Sequence, residues 1–131
     1  MVTKKQITKT IAFFILCLVF NSCGNGYKQI KDSKPDYILD AKIFRSEYDA
    51  NTIAANSKYE GKIIEVNGQI SDIDNSMVIL FGTVWCEFDK NQLASLIEIQ
   101  KYRRITIKGI YVKSVWSIPL LKNCVVIQYF P

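Results

Sequence analysis

The side chains able to do acid–base or covalent chemistry are few and scattered. The chain has no histidine, so it lacks the commonest general base and metal ligand at neutral pH. Its 12 acidic residues fall on polar stretches, and no two are placed by their spacing in an apolar setting. Asp72 and Asp74, within Ser71–Ser76, invite a calcium reading, but a calcium loop needs a glycine at its sharp turn and a distal glutamate. A solvated turn fits that composition better. The sequence contains no phosphate-cradling glycine loop, nucleophile elbow or paired-cysteine metal spacing. We therefore expect no enzyme, no cofactor and no metal. Binding chemistry remains. Phe81, Trp85, Tyr111 and Trp116 could offer an aromatic surface, where stacking contributes about 1–3 kcal/mol per base, and each could equally be packed inside. Arg103, Arg104, Lys108 and Lys113 form the only basic cluster.

The N-terminus carries targeting chemistry. Lys4, Lys5 and Lys9 form a basic head, and Ile11 to Phe20 is an unbroken apolar run before Asn21-Ser22-Cys23. A membrane-spanning helix needs roughly 20 apolar residues, so the run reads as a signal peptide over residues 1–22. Cys17 lies inside it. Ser22 before Cys23 and the polar Gly24-Asn25-Gly26 after it resemble the lipobox of bacterial lipoproteins, with Phe20 and Asn21 departing from the usual leucine and small residue. The resemblance implies cleavage before Cys23, lipidation of its thiol, and an exported, membrane-tethered protein of the cell envelope facing the periplasm. An ordinary cleaved signal and an uncleaved anchor are the rival readings. Residues 23–36, polar and without apolar period, read as the tether.

The formal charge of +5 shrinks once the basic head is removed, leaving 14 basic against 12 acidic side chains. A nucleic-acid binder presents a basic stripe able to neutralise several phosphates, and none is visible.

The elements that must position the aromatics follow from periodicity. Asp36 to Lys58 has a helical pattern through Leu39, Ile43, Tyr48 and Ile53-Ala54-Ala55. It reads as one helix or as two joined near Ala50, with Asn51 and Thr52 able to cap the second. Gly61 allows the exit. Ile64, Val66, Gly68 and Ile70 then alternate with polar residues as a half-buried strand whose central glycine accommodates a bend or bulge. Met77–Phe81 and Thr83–Phe88, broken at Gly82, predict a hairpin. Asp89–Gln100 reads as a helix with a capping box between Asp89 and Gln92 and a buried stripe of Leu93, Leu96 and Ile97. Arg103–Val112, with Gly109 inside it, and Leu120–Phe130 complete five strands.

Five strands with a helix between the third and fourth, and glycines within the first and fourth, is the layout of an OB-fold, a five-stranded Greek-key barrel, here preceded by a helical segment within residues 37–131. The stretch EYDANTIAANSKYEGKIIEVNGQISDI, followed by VWCEF, ITIKG and LKNCVVI, resembles the tRNA-anti-like OB-fold family of small exported bacterial proteins from about Leu39 to Ile127. Asn51, Ala55, Tyr59, Gly61, Lys62, Val66 and Gly68 are its most specific part. Lys101-Tyr102 stands where the family usually carries a glycine. The barrel would make the third and fifth strands neighbours, and Cys86 and Cys124, one on each, could form a disulfide in an oxidising compartment or remain as buried thiols. Function then reads as a non-catalytic binding or interaction module whose partner is an envelope protein or glycan. The alternative is single-stranded nucleic acid or oligosaccharide on the face of the second and third strands.

Overall fold

The computed structural model describes residues 26–131; residues 1–22, expected to be a signal peptide, and Cys23 lie outside them. The first described element, α1 (Gly26–Asp32), belongs to the stretch expected to be a tether. Ile30 is 1 % exposed, and the Lys108 ammonium donates to the carbonyls of Lys31 and Ser33 at 2.8 Å each. This part of the expected tether is therefore docked on the domain. A single buried isoleucine in a polar sequence gave the pattern no period to show it.

The region expected to be wholly helical opens instead with a strand, β1 (Tyr37–Asp40). It is followed by two helices, α2 (Ala41–Ala50) and α3 (Thr52–Tyr59). β1 runs parallel to the first half of β2 (Ile63–Asp74), from Tyr37↔Ile64 to Asp40↔Asn67. It forms because β2 is longer than its hairpin partner β3 (Met77–Leu80), which pairs only from Ile70 onward. The first half of β2 pairs with β5 on its other edge, and the edge taken by β1 would otherwise leave a row of backbone groups without partners. Asp36 starts the latch, its carboxylate accepting from Ile63 N at 2.8 Å.

Asp40 caps α2 by accepting from Lys42 N at 2.8 Å, and Asn51 caps α3 by accepting from Ala54 N at 3.0 Å. The two-helix alternative is thus the one realised, with Asn51 at the joint. The buried stripe differs from the expected one. Ala41, Phe44 and Tyr48 face inward, followed by Ala55 and Tyr59, whereas Ile43 and Ile53 are 63 % and 84 % exposed. The helix exit is as read: Gly61 has φ +74° and donates to Tyr111 O at 3.0 Å.

β2 alternates as expected, with Ile64, Val66, Gly68 and Ile70 buried. It also continues through Ser71–Asp74, which the turn composition had suggested was loop. The irregularity in its pairing with β3 lies between Ile70 and Asp72, beyond Gly68. Gly68 serves close approach instead, since a Cβ there would sit 2.8 Å from the Ala41 Cβ. β4 (Val84–Glu87), β5 (Arg104–Val112) and β6 (Leu120–Phe130) complete the sheet. Between β4 and β5 the expected helix is a 3-10 segment, Lys90–Leu96. The capping box is absent: the Asp89 side chain makes no cap bond, and Gln92 N donates to the Asp89 carbonyl at 2.8 Å. Leu96 and Ile99 are buried, while Ile97 is 80 % exposed.

The strand order is β1-β2-β3-β4-β6-β5, with β5 pairing back onto β2. Five strands thus close into a ring, an OB-like arrangement with β1 added outside it. The ring encloses Ile64, Val66, Ile70, Val78, Leu80, Val84, Ile105, Ile107 and Leu121, all buried. Four aromatics close one end. Phe44, Tyr59 and Tyr111 meet at centroid separations of 5.2–6.0 Å, and Tyr37 meets Tyr59 edge-on at 4.9 Å. Edge-to-face packing of this kind is the favoured geometry for aromatic pairs.

Candidate binding face

Alternation decides which side chains leave the barrel. On β3 and β4, Val78, Leu80, Val84 and Cys86 point inward, so Ile79 and Trp85 point outward. The register places Ile79 opposite Trp85, Trp85 opposite Leu120 on β6, and Leu120 opposite Val112 on β5. Four half-buried apolar side chains therefore form one row across four strands of the outer surface. Directly opposed side chains in neighbouring strands stand about 4.5–5.5 Å apart at Cβ, so the row is continuous. Val112 and Leu120 flank the loop 113–119, which carries Val115 and Trp116, 89 % and 73 % exposed. Pro119 O accepts from Trp85 N at 3.0 Å, fixing the end of that loop to β4.

The four aromatics named from the sequence separate here. Trp85 sits in the row and Trp116 in the adjoining loop. Phe81 lies at the β3–β4 turn with φ +50°, 45 % exposed. It lines a pocket of ≈ 210 Å³ with Asp40, Gly68 and Arg104, and the Lys42 ammonium stands 4.7 Å from its ring centroid. Tyr111 is a correction: it is 0 % exposed and belongs to the core, because the alternation of β5 turns it inward. Its hydroxyl donates to the Asn56 carboxamide oxygen, and burial pushes its pKa well up. Ile79, Leu120 and Val112, which complete the row, were missed. As alternating apolar residues they could be given a face only once strand order was known.

The basic cluster also separates. Lys108 is 5 % exposed and holds α1, while Arg104 donates to Asn67 Oδ1 at 2.9 Å and lies 3.7 Å from Asp40. On the strands of the row, Lys122 of β6 approaches Glu87 of β4 at 3.9 Å, and away from the row Lys101, in the turn before β5, pairs with Asp72 of β2 at 2.7 Å. The hydrogen bond from Lys101 holds the Asp72 carboxyl below its usual range.

Cys86 and Cys124 are both buried free thiols. Their strands are neighbours, as the layout implied, with Cys86 opposite Leu121, but the disulfide is not formed. Each occupies the interior as a small apolar side chain, and burial pushes the Cys124 thiol well up, with Cys86 adding to the shift. Among the described residues no cluster of three or more candidate metal ligands occurs. No described helix is long and apolar enough to cross a membrane.

The sequence matches the tRNA_anti-like family model over residues 1–125. The chain belongs to the tRNA_anti-like family. Among solved structures, this tRNA_anti-like chain is similar to a lipoprotein of Klebsiella pneumoniae subsp. pneumoniae MGH 78578 described as a proposed nucleic acid-binding protein. The two share 20 % identity over 80 % of this chain and 100 % of that one, with a TM-score of 0.64. At that identity the likeness is one of fold. No curated protein matches the tRNA_anti-like chain.

Proposed function

We propose that this protein is a non-catalytic binding module held at the bacterial cell envelope by a lipid on Cys23, with the outer row of Ile79, Trp85, Leu120 and Val112 as its ligand face. The row carries the reading, because it leaves an indole and three aliphatic side chains only half covered on the barrel exterior. An OB-fold binds through this region, the face of its second and third strands and the loops beside it. Among the described residues no set of groups resembles a nucleophile with its base. A lipid chain favours the membrane by about 0.8 kcal/mol per buried methylene, so two or more chains on one cysteine give a stable anchor. The ligand we favour is an envelope protein or glycan.

Crosslinking and recovery from detergent-solubilised envelopes tests the face. A partner should be captured by the parent and lost with Trp85→Ala, and recovery of the protein alone would sink the idea. Labelling with a fatty-acid analogue tests the anchor separately. It should mark the parent and spare Cys23→Ala, and equal labelling of both would remove the lipid.

A second reading, single-stranded nucleic acid on the same face, is favoured by the description of the Klebsiella protein. The pairing of Lys122 with Glu87 on that face opposes it, since phosphate binding draws on unneutralised cations. Titration with a labelled single strand at low salt separates the two, because electrostatic binding is strongest there.

A further inference from the structure

We propose that the groove between α3 and the loop 113–119 is a second binding site, and that it takes a neutral polyhydroxylated ligand, a saccharide unit. The groove encloses ≈ 490 Å³, within the range of small-molecule sites. It lies between a helix and the β5–β6 loop, off the sheet face described above, and does not depend on that face being used.

Its chemistry is set by oriented uncharged polar groups. Tyr48 is 1 % exposed and lines the groove. Its hydroxyl has no hydrogen-bond partner among the described residues. No fully enclosed side-chain polar atom there lacks a partner, so this hydroxyl is the part of Tyr48 that reaches the opening. Burial raises its pKa, which keeps it protonated and able both to donate and to accept. Asn56 is held from behind, its carboxamide oxygen accepting from Tyr111, and its NH2 group is left for the groove. Thr52 donates its proton to Tyr48 O at 3.0 Å, which leaves oxygen lone pairs outward. Across the groove, Ser114 Oγ accepts from Trp116 N at 3.0 Å, so its own proton is available.

Charge excludes the other small-ligand classes. Lys113 and Glu60 both line the groove, giving no net attraction for an anion, and one carboxylate is too few for a hard cation that takes six to eight oxygens. Sugars need alternating donors and acceptors plus an apolar plate for a ring face. Ile53, 84 % exposed, is the apolar side chain that lines the groove, and Trp116, 73 % exposed, neighbours the lining residues Ser114 and Ser117 in the chain and reports on the loop.

The test uses the full chain in a sugar-free detergent. In a Trp85→Phe background Trp116 is the only indole, since the chain has two tryptophans. Its fluorescence is followed against maltotetraose, cellotetraose, chitotetraose and their monosaccharides. The proposal expects a saturable change with at least one probe. Response to monosaccharides as well would place a free sugar in the groove, and response to oligomers alone a polymeric glycan. Tyr48→Phe keeps the ring and should weaken binding about three- to tenfold, the worth of one hydrogen bond, at an unchanged melting temperature. Ser57→Phe fills the groove from an exposed position without adding an indole and should abolish binding even if Tyr48→Phe proves unstable. Binding must survive Trp85→Ala. The proposal is overturned if no probe saturates, if Ser57→Phe binds like the parent, or if an oligothymidylate displaces the sugar. Loss of sugar binding in Trp85→Ala alone would also overturn it, moving the ligand to the sheet face and leaving the proposed function standing.

Discussion

The Tyr111 hydroxyl, on β5, donates to the carboxamide of Asn56, on α3. One hydrogen bond thus joins the barrel wall to the helix that covers its end. Tyr111 lies in the aromatic cluster and is wholly buried, while Asn56 lines the outer groove, so the bond connects interior to surface.

Removing that hydroxyl leaves a half-buried acceptor without its donor. Tyr111→Phe keeps the ring and should cost about 1–2 kcal/mol, the desolvation penalty of an orphaned polar group, read as a lower denaturant midpoint with unchanged slope. The raised pKa of Tyr111 gives an optical check. In a spectrophotometric alkaline titration, Tyr111 should contribute to the latest ionisation step, and the amplitude of that step should fall in Tyr111→Phe.

Gly68 and Gly109 should differ in how a methyl group is received. At Gly109 a Cβ would lie 2.6 Å from Cys124 Sγ and 3.0 Å from Lys122 O, a backbone atom. At Gly68 the nearest atom, 2.8 Å away, is the Ala41 Cβ. Overpacking typically costs about 1–3 kcal/mol, and we expect Gly109→Ala at or above the top of that range. Gly68→Ala should be partly rescued by Ala41→Gly, because the pair exchanges one methyl for the other. A rescue of zero in thermal melts would show that something other than this contact fixes the glycine.

How far these features were legible depends on whether the cause was local. Asn51 as a cap, the alternation of β2 and the hairpin around Gly82 were readable because each is decided within a few residues. β1 was not. Tyr37–Asp40 is extended because one edge of the first half of β2 is left open by the short β3, a fact about strand lengths far along the chain. The same holds for Tyr111, whose aromatic character is visible but whose inward direction depends on the β2–β5 register. Tyr102, where the family usually has glycine, does adopt φ +69°. Its backbone is held there by N–H donation to Ile70 O at 2.7 Å, which the sequence does not display. Of the proposed face, Trp85 was visible and the aliphatic residues on either side of it, Ile79, Leu120 and Val112, were not.

Glu47 should make stability acid-sensitive. Its carboxylate accepts from Lys58 Nζ at 2.8 Å and from Tyr59 Oη at 2.6 Å, and these bonds, the lysine first, lower its pKa from the ordinary 4.5. A depressed folded pKa means the unfolded chain takes up the proton first. The contribution is therefore fully present above the ordinary glutamate value and is lost as pH falls from there through the folded value. The side chain is 35 % exposed, so after solvent screening the contribution is less than about 1 kcal/mol. Between pH 6 and pH 3, Glu47→Gln should lose less stability than the parent in urea melts, and parallel losses would remove Glu47 as a contributor.

The two interior thiols supply the last prediction. Thiolate is the reactive form of cysteine, and Cys86 and Cys124 are both 0 % exposed, with Cys124 pushed well above its usual pKa by burial. Iodoacetamide should leave both unmodified in the native protein for as long as it remains folded, and should modify both once urea unfolds it, without added reductant. Mass spectrometry of the peptides holding each residue distinguishes the outcomes. Failure to alkylate after unfolding, reversed by a reductant, would mean that the cysteines are bonded in the isolated protein. The bond should then add stability, on the order of 2–4 kcal/mol for a disulfide closing a loop of this kind. Labelling of Cys124 in the native state at neutral pH would instead mean that the β4–β6 seam opens locally, since a parallel pairing of only two residues is the thinnest part of the ring.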